Sequence, residues 1–144
     1  MTFKEISAWI SLIVLGAIYG DYFVNAPHTT TQGEALGLFV AVAIAIIVVE
    51  TATHVIAAIF HRPEKTDERD RVIGGKAFRN AYFVMSAGVV GSIFYLLMSG
   101  PWTETLTFPN VPHAIMGAHL LVLTAALTEA MKFGSQIVYY RRGA

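Results

Sequence analysis

Four long apolar runs dominate this sequence, and they constrain its fold more than any other feature. Each run is close to or above the ~20 residues with which a helix crosses the ~30 Å hydrocarbon core of a bilayer. Strands of a membrane barrel would alternate apolar and polar residues, which these runs do not. The sequence therefore predicts an all-α integral membrane four-helix bundle, one domain over residues 1–144, with spans at about 6–23, 35–60, 77–98 and 114–140.

Composition supports the membrane class and argues against several functions. Only 14% of the residues are charged, against about 25% in an ordinary soluble domain. The formal net charge is zero, which gives no signal for a nucleic-acid partner. The sequence contains no cysteine, so disulfides, thiolate metal sites and thiol nucleophiles are excluded. Serine-hydrolase, phosphate-loop and zinc-protease motifs are also missing from the sequence, and we expect no enzyme activity.

The distribution of lysine and arginine predicts the orientation. All ten basic residues fall at the end that carries both termini and the loop 61–76, or in the half of the bundle nearest to it. The opposite loops contain Asp21, Glu34 and Glu104 but neither lysine nor arginine. The positive-inside rule therefore places both termini and this loop in the cytoplasm. We interpret the first apolar run as a retained helix, since no Ala-x-Ala-like cleavage site follows it.

Three of the spans place polar side chains at a similar depth in the inner half of the bilayer. At ~1.5 Å per residue, Glu50 lies about 22 Å below Ala35 at the outer end of the second span, and Glu129 about 25 Å below Pro112 at the outer end of the fourth. The third span runs in the other direction and begins near the same depth. The buried polar layer predicted in this way comprises Glu50, His54, Arg79, Asn80, Glu129 and Lys132.

Two interpretations of this polar layer stay open. A charge at the bilayer centre costs about 2.5–3.5 kcal/mol, and ion pairs with Arg79 and Lys132 could offset the two carboxylates in a purely structural role. Alternatively, Glu50 takes up a proton or binds a cation, as intramembrane acids often do. The second interpretation predicts a small oligomeric proton- or cation-linked carrier or channel, in which His54, Glu129 and Lys132 act as modulators.

Metal and haem binding have little support in the sequence. Glu50 and His54 share one helical face, but two ligands are too few for a metal site. His119 lies only about 10 Å from the outer end of its span, against about 28 Å for His54, so one cofactor cannot join them within a single chain. We expect no metal and no cofactor. A haem held by two copies of His54 in a dimer is the alternative.

Small residues predict close packing of helices. Gly16 and Gly20 form a Gly-x-x-x-Gly pair on the first span, and Gly88 and Gly91 open a face on the third. Such residues let helix backbones approach closely in lipid. They serve either this chain's own bundle or a homo-oligomer.

The loop 61–76 contains a second set of candidate residues. Thr66 can cap a helix whose first turn is acidic, so the third span is expected to begin early, with a polar cytoplasmic extension. The extension either only stops membrane transfer or docks a cytoplasmic protein partner. The second possibility predicts a non-transporting regulatory or assembly protein, which docks partners through the loop 61–76 or through its membrane face.

Two short motifs stand near the cytoplasmic ends of the third and fourth spans: Asp67-Glu68-Arg69 with Ile73, Lys76 and Ala77, and the terminal sequence SQIVYYRRG. In these motifs the chain resembles a family of small uncharacterised prokaryotic multi-helix membrane proteins that carries a domain-of-unknown-function label. The resemblance implies a bacterial inner-membrane protein without indicating an activity. It also implies that Glu68, Arg69 and Lys76 act as a set, through ion pairs that fix the loop.

Overall fold

The computed structural model describes residues 3–60, 67–98 and 108–142, and within these ranges the chain is helical, with no strand. The helices are α1 (Phe3–Asn25), α2 (Gln32–Phe60), α3 (Glu68–Leu97) and α4 (His113–Arg142), and a short 3-10 turn at Ala26–His28 follows α1. Each of these four helices is long and apolar enough to cross a membrane. The predicted all-α four-helix bundle is confirmed, and the chain is a multi-pass membrane protein.

The helices do not pack in the order in which they follow one another along the chain. The most extensive contact joins α3 to α4, the next joins α1 to α4, and α2 packs mainly on α1. Helix α4 therefore lies between α1 and α3, while α2 is attached at one side of this group. On the face between α1 and α4, Ala8 and Leu15 pack against Phe133 and Ile137.

Side-chain caps define where two of the helices begin. The Asp67 carboxylate accepts the Glu68 backbone N–H at 2.6 Å, and the Asp70 carboxylate accepts the Asp67 N–H at 3.3 Å. This capping box starts α3 at Glu68, well before the predicted apolar span at 77, so the expected polar extension is helical. The N-cap is Asp67, whereas Thr66 lies outside the described residues. At α2, Thr31 and Glu34 bond each other reciprocally in the same way.

Two glycines mark where α3 and α4 approach most closely. A methyl group on Gly88 would overlap the Thr124 side chain, and one on Gly117 would overlap Leu96. A larger residue at position 88 would push the two helices apart, whereas at position 117 the exposed Leu96 side chain would have to move. Gly16 and Gly20 of the predicted Gly-x-x-x-Gly pair have open space beside them instead, so they do not serve the packing of the described helices.

Candidate functional site

Because α2 packs on α1 and not closely on α4, an open groove of about 590 Å³ lies between α2 and α4. We call it the α2/α4 groove. Tyr19 and Tyr22 of α1 form its base, and almost all of its lining is apolar. The two helices that flank it contribute Gln32, Ala35, Leu36, Phe39, Val42, Ala43 and Ile46 from α2, and Ala114, Ile115, Ala118, His119, Leu121, Val122 and Ala125 from α4.

Charged residues continue both flanks of this groove. Residues three or four apart share a helical face, so Glu50 stands one turn beyond Ile46 in the α2 row that lines the groove. On α4, Glu129 stands one turn beyond Ala125 in the corresponding row. The apolar groove therefore leads, in the direction of the chain termini, to carboxyl groups from two different helices.

The two charged residues on this part of α4, Glu129 and Lys132, form an ion pair with each other. The Lys132 ammonium lies 3.0 Å from the Glu129 carboxylate, three residues away on the same helix. It also lies 4.5 Å from the centre of the Phe133 ring. Glu50 is half-buried and interacts with a neighbour of its own.

The remaining residues of the predicted polar layer lie elsewhere. The Asn80 amide donates to the Ser135 and Tyr139 hydroxyls, each at 3.1 Å, so it belongs to the contact between α3 and α4. The Arg79 side chain is exposed. Position 54 lies in α2, one turn beyond Glu50, but the His54 side chain is outside the described part of the structure. Within that part, no group of three or more histidine or carboxylate side chains could hold a metal ion.

A second polar group, not predicted from the sequence, lies at the end of the bundle opposite the termini. His119 is 2% exposed, and both of its ring nitrogens are bonded. The Tyr22 hydroxyl lies 2.6 Å from Nδ1, and the Thr29 hydroxyl lies 2.8 Å from Nε2. Thr29 in turn donates its hydroxyl proton to the Ala26 carbonyl at 2.7 Å.

This chain of contacts assigns each proton. The Thr29 hydroxyl donates its proton to the Ala26 carbonyl, so its oxygen acts as an acceptor towards His119. Nε2 of His119 must therefore carry the hydrogen. Burial disfavours the charged imidazolium form, so Nδ1 of His119 is unprotonated and accepts the Tyr22 hydroxyl proton. The imidazole is a neutral bridge that ties α1 and the 3-10 turn to α4. With both ring nitrogens occupied, His119 has no nitrogen left for a metal or a haem iron.

Depth alone could have pointed to this group. Tyr22 and Thr29 flank the end of the first span, and His119 was predicted only about 10 Å from the same surface. The similar depths of His119, Tyr22 and Thr29 are therefore the sequence signal for this group.

The opposite end of the bundle is held by a set of charged contacts that we call the terminal clasp: Lys4, Glu5, Asp70, Tyr140 and Arg141. The Lys4 ammonium lies 2.6 Å from the Asp70 carboxylate, which also accepts the Tyr140 hydroxyl at 3.0 Å. Arg141 pairs with the buried Glu5 at 3.1 Å. These bonds bring the start of α1, the start of α3 and the end of α4 to one end.

The three residues singled out in the loop lie beside this clasp. Arg69 donates to the Tyr140 carbonyl at 3.3 Å, and the Lys76 ammonium lies 5.6 Å from the centre of the Tyr139 ring. Glu68 is exposed. Two of the three thus contact the end of α4, through a backbone carbonyl and an aromatic ring.

Comparisons with models of known protein families, with curated proteins and with solved structures found no match. The family resemblance seen in the loop and C-terminal motifs stays a prediction. What the architecture itself establishes is an all-α, multi-pass membrane protein.

Proposed function

We propose that the chain is a proton- or cation-linked carrier or channel of the bacterial inner membrane, which works as a homo-oligomer and uses Glu50 as its cation-accepting group. The observation that supports this most is the α2/α4 groove, whose two flanking rows lead to Glu50 and Glu129. Because the groove leads to carboxyl groups on two helices, a cation at that end can interact with more than one carboxylate.

Acidic groups inside a membrane favour a cationic species. The Glu129 carboxylate pairs with the Lys132 ammonium at 3.0 Å, and Glu50 interacts with a neighbour of its own. A charged side chain in the hydrocarbon region costs about 2.5–3.5 kcal/mol, so each carboxylate there needs a partner or a proton. Exchange of the partner of Glu50 for a proton or another cation keeps that carboxylate compensated, which is the basis for a transport cycle.

The packing of α2 supports movement at this site. Helix α2 packs mainly on α1, whereas α4 is held from two sides. A shift of α2 against α4 would widen or narrow the groove without breaking the contact between α3 and α4. We propose that such a shift controls access to Glu50.

The experiment is cation flux in proteoliposomes. Purified protein is reconstituted with a pH-sensitive dye inside, and proton flux is recorded under an imposed gradient, with Na⁺ and K⁺ flux followed in parallel. We expect Glu50→Gln to reduce flux at least tenfold. Asp21→Asn is the matched control, because it makes the same chemical change at an exposed position outside the groove. It should transport like the unaltered protein.

Two results would reject the proposal. One is equal flux through the Glu50→Gln variant and the unaltered protein. The other is the absence of proton, Na⁺ and K⁺ flux from unaltered protein that retains its helical circular-dichroism spectrum.

The alternatives from the sequence stay predictions. Docking of a cytoplasmic partner through the loop 61–76 would be tested by pull-down from native membranes with Glu68 and Arg69 reversed in charge. Haem binding by paired copies of His54 would give the purified protein a Soret band, which His54→Ala should remove.

A further inference from the structure

A second groove, of about 690 Å³, lies between α3 and α4 in the half of the bundle nearest the termini. We call it the α3/α4 groove. Its part towards the bilayer centre is apolar, with Val84, Leu127 and Met131. Its part towards the termini is polar, with Asn80, Ser135, Tyr139 and Arg142, and the lining is completed by Ala130, Gly134 and Val138.

The length of this groove matches one leaflet of a membrane. The thirteen residues from Leu127 to Tyr139 are separated by twelve helical steps, which span about 18 Å. One leaflet contributes about 15 Å of hydrocarbon, half of the ~30 Å core. An acyl chain lying along Leu127 and Met131 would therefore reach the interface beside Tyr139 and Arg142.

Cationic side chains surround the polar end of the groove. Arg142 lines it, and Lys76 lies 5.6 Å from the ring centre of Tyr139, which also lines it. Arg69 shares a helical face with Lys76, seven residues away. No carboxylate is among the described residues that line the groove. The nearby Asp70 is already engaged by Lys4 and by Tyr140.

The groove also presents a hydroxyl donor. Asn80 donates to the Tyr139 hydroxyl oxygen, so the proton of that hydroxyl is directed away from Asn80. It can therefore be donated to an acceptor in the groove, and a phosphate oxygen is a strong acceptor. The polar end thus combines two cations and an oriented hydroxyl group, a set that suits a phosphodiester.

We infer that the α3/α4 groove binds one anionic phospholipid, with its phosphate between Arg142 and Lys76 and one acyl chain along Leu127 and Met131. The complementarity is twofold: cations without carboxylates face the headgroup, and apolar side chains face the chain. Basic pockets between membrane helices recognise anionic lipid headgroups in this way. The inference is independent of the proposed transport function, since the groove lies on a different side of α4 from the row that contains Ala125 and Glu129.

The experiment is lipid binding to the purified full chain, measured by native mass spectrometry with phosphatidylglycerol or phosphatidylcholine added to the detergent. We expect retention of one phosphatidylglycerol in preference to phosphatidylcholine. The double variant Lys76→Ala, Arg142→Ala should weaken phosphatidylglycerol binding by about 25-fold, taking about fivefold for each cation. The conservative pair Lys76→Arg, Arg142→Lys should retain most of the binding, which separates charge from folding.

The matched control removes two other cations from α3. Arg71 and Arg79 are both exposed and lie on faces of the helix away from Asn80 and Val84. The double variant Arg71→Ala, Arg79→Ala should bind phosphatidylglycerol as the unaltered protein does. Soluble glycerol phosphate, added in a parallel titration, should not compete at equal concentration, because it lacks the acyl chain.

Three outcomes would overturn the inference. The first is equal binding of phosphatidylglycerol and phosphatidylcholine by the unaltered protein. The second is an equal loss in the two double-alanine variants, which would reduce the effect to general surface charge. The third is competition by glycerol phosphate as strong as that by the lipid, which would assign the site to a free phosphate group.

Discussion

The Tyr22 hydroxyl and Nδ1 of His119 lie 2.6 Å apart, and this contact joins the first helix of the chain to the last. Both side chains are almost fully buried, at 1% and 2% exposure. A buried polar group without a partner is costly, so each of the two stabilises the position of the other. The pair, together with Thr29, fixes the end of the bundle opposite the termini.

Replacement of His119 should therefore destabilise the whole bundle. His119→Phe keeps an aromatic ring but removes both hydrogen bonds, and it leaves the Tyr22 hydroxyl without its acceptor. Interhelical hydrogen bonds in membrane proteins contribute about 0.6–2 kcal/mol each, so we expect the free energy of unfolding to fall by about 1–4 kcal/mol. The measurement is denaturant titration in detergent micelles, followed by tryptophan fluorescence. His28→Phe, at an exposed position, should leave the midpoint unchanged, and equal midpoints for the two variants would contradict the assigned role of His119.

Removal of one charge should loosen the terminal clasp by a smaller amount. The Asp70 carboxylate contacts Lys4, Tyr140 and the N-cap of α3 at once. Its side chain and that of Lys4 are partly exposed, at 20% and 31%, so solvent screens the ion pair. We expect Asp70→Asn to lower the free energy of unfolding by about 1 kcal/mol. Glu68→Gln makes the equivalent change two residues earlier on an exposed side chain, and a loss of the same size there would argue against the clasp.

The close approach of α3 and α4 gives a prediction with an internal control. An added methyl at Gly88 meets the Thr124 side chain, whereas one at Gly91 meets open space. Gly88→Ala should destabilise the protein by about 1–3 kcal/mol through overpacking. Gly91→Ala, on the same helix, should be neutral or slightly stabilising, because alanine favours the helix. Thermal unfolding of the two variants in the same detergent checks this, and the prediction fails if their midpoints agree.

The cytoplasmic placement of both termini is open to a labelling test. The sequence has no cysteine, so one introduced thiol reports one position. Asp21 and Glu68 are exposed and lie near opposite ends of the bundle. A membrane-impermeant maleimide should label Asp21→Cys in intact spheroplasts and Glu68→Cys only after lysis. The reverse pattern would invert the predicted topology.

The sequence was sufficient to predict the helices because bilayer thickness ties apolar length to a spanning helix. It also indicated the early start of α3, since acidic residues near Asp67 favour a helix N-terminus. These predictions depend on local properties of the chain. Helix ends were displaced where polar residues continued a helix beyond its apolar part, as they do from Glu68 to Lys76.

The sequence could not supply the arrangement of the helices around one another. Counting residues gives the depth of a side chain but not the neighbour that it faces. Asn80 and Glu129 have comparable predicted depths, yet Asn80 of α3 bonds Ser135 of α4 in the contact between those two helices. Glu129 instead stands in the α4 row that continues from Ala125. The contact between Tyr22 and His119 was missed for the same reason, because it depends on α1 and α4 being neighbours.

Because α1 packs on α4, the bundle can be completed only late in synthesis. During synthesis α1 leaves the ribosome first, but the surface that Ala8 and Leu15 bury against Phe133 and Ile137 exists only after α4 has been inserted. Until then that face of α1 must be covered by lipid, by the membrane-insertion machinery or by a chaperone. In a chain that stops after α3, both α1 and α3 would lack α4, the helix on which each of them packs most extensively. Final assembly of the described helices is therefore a late event that waits for the insertion of α4.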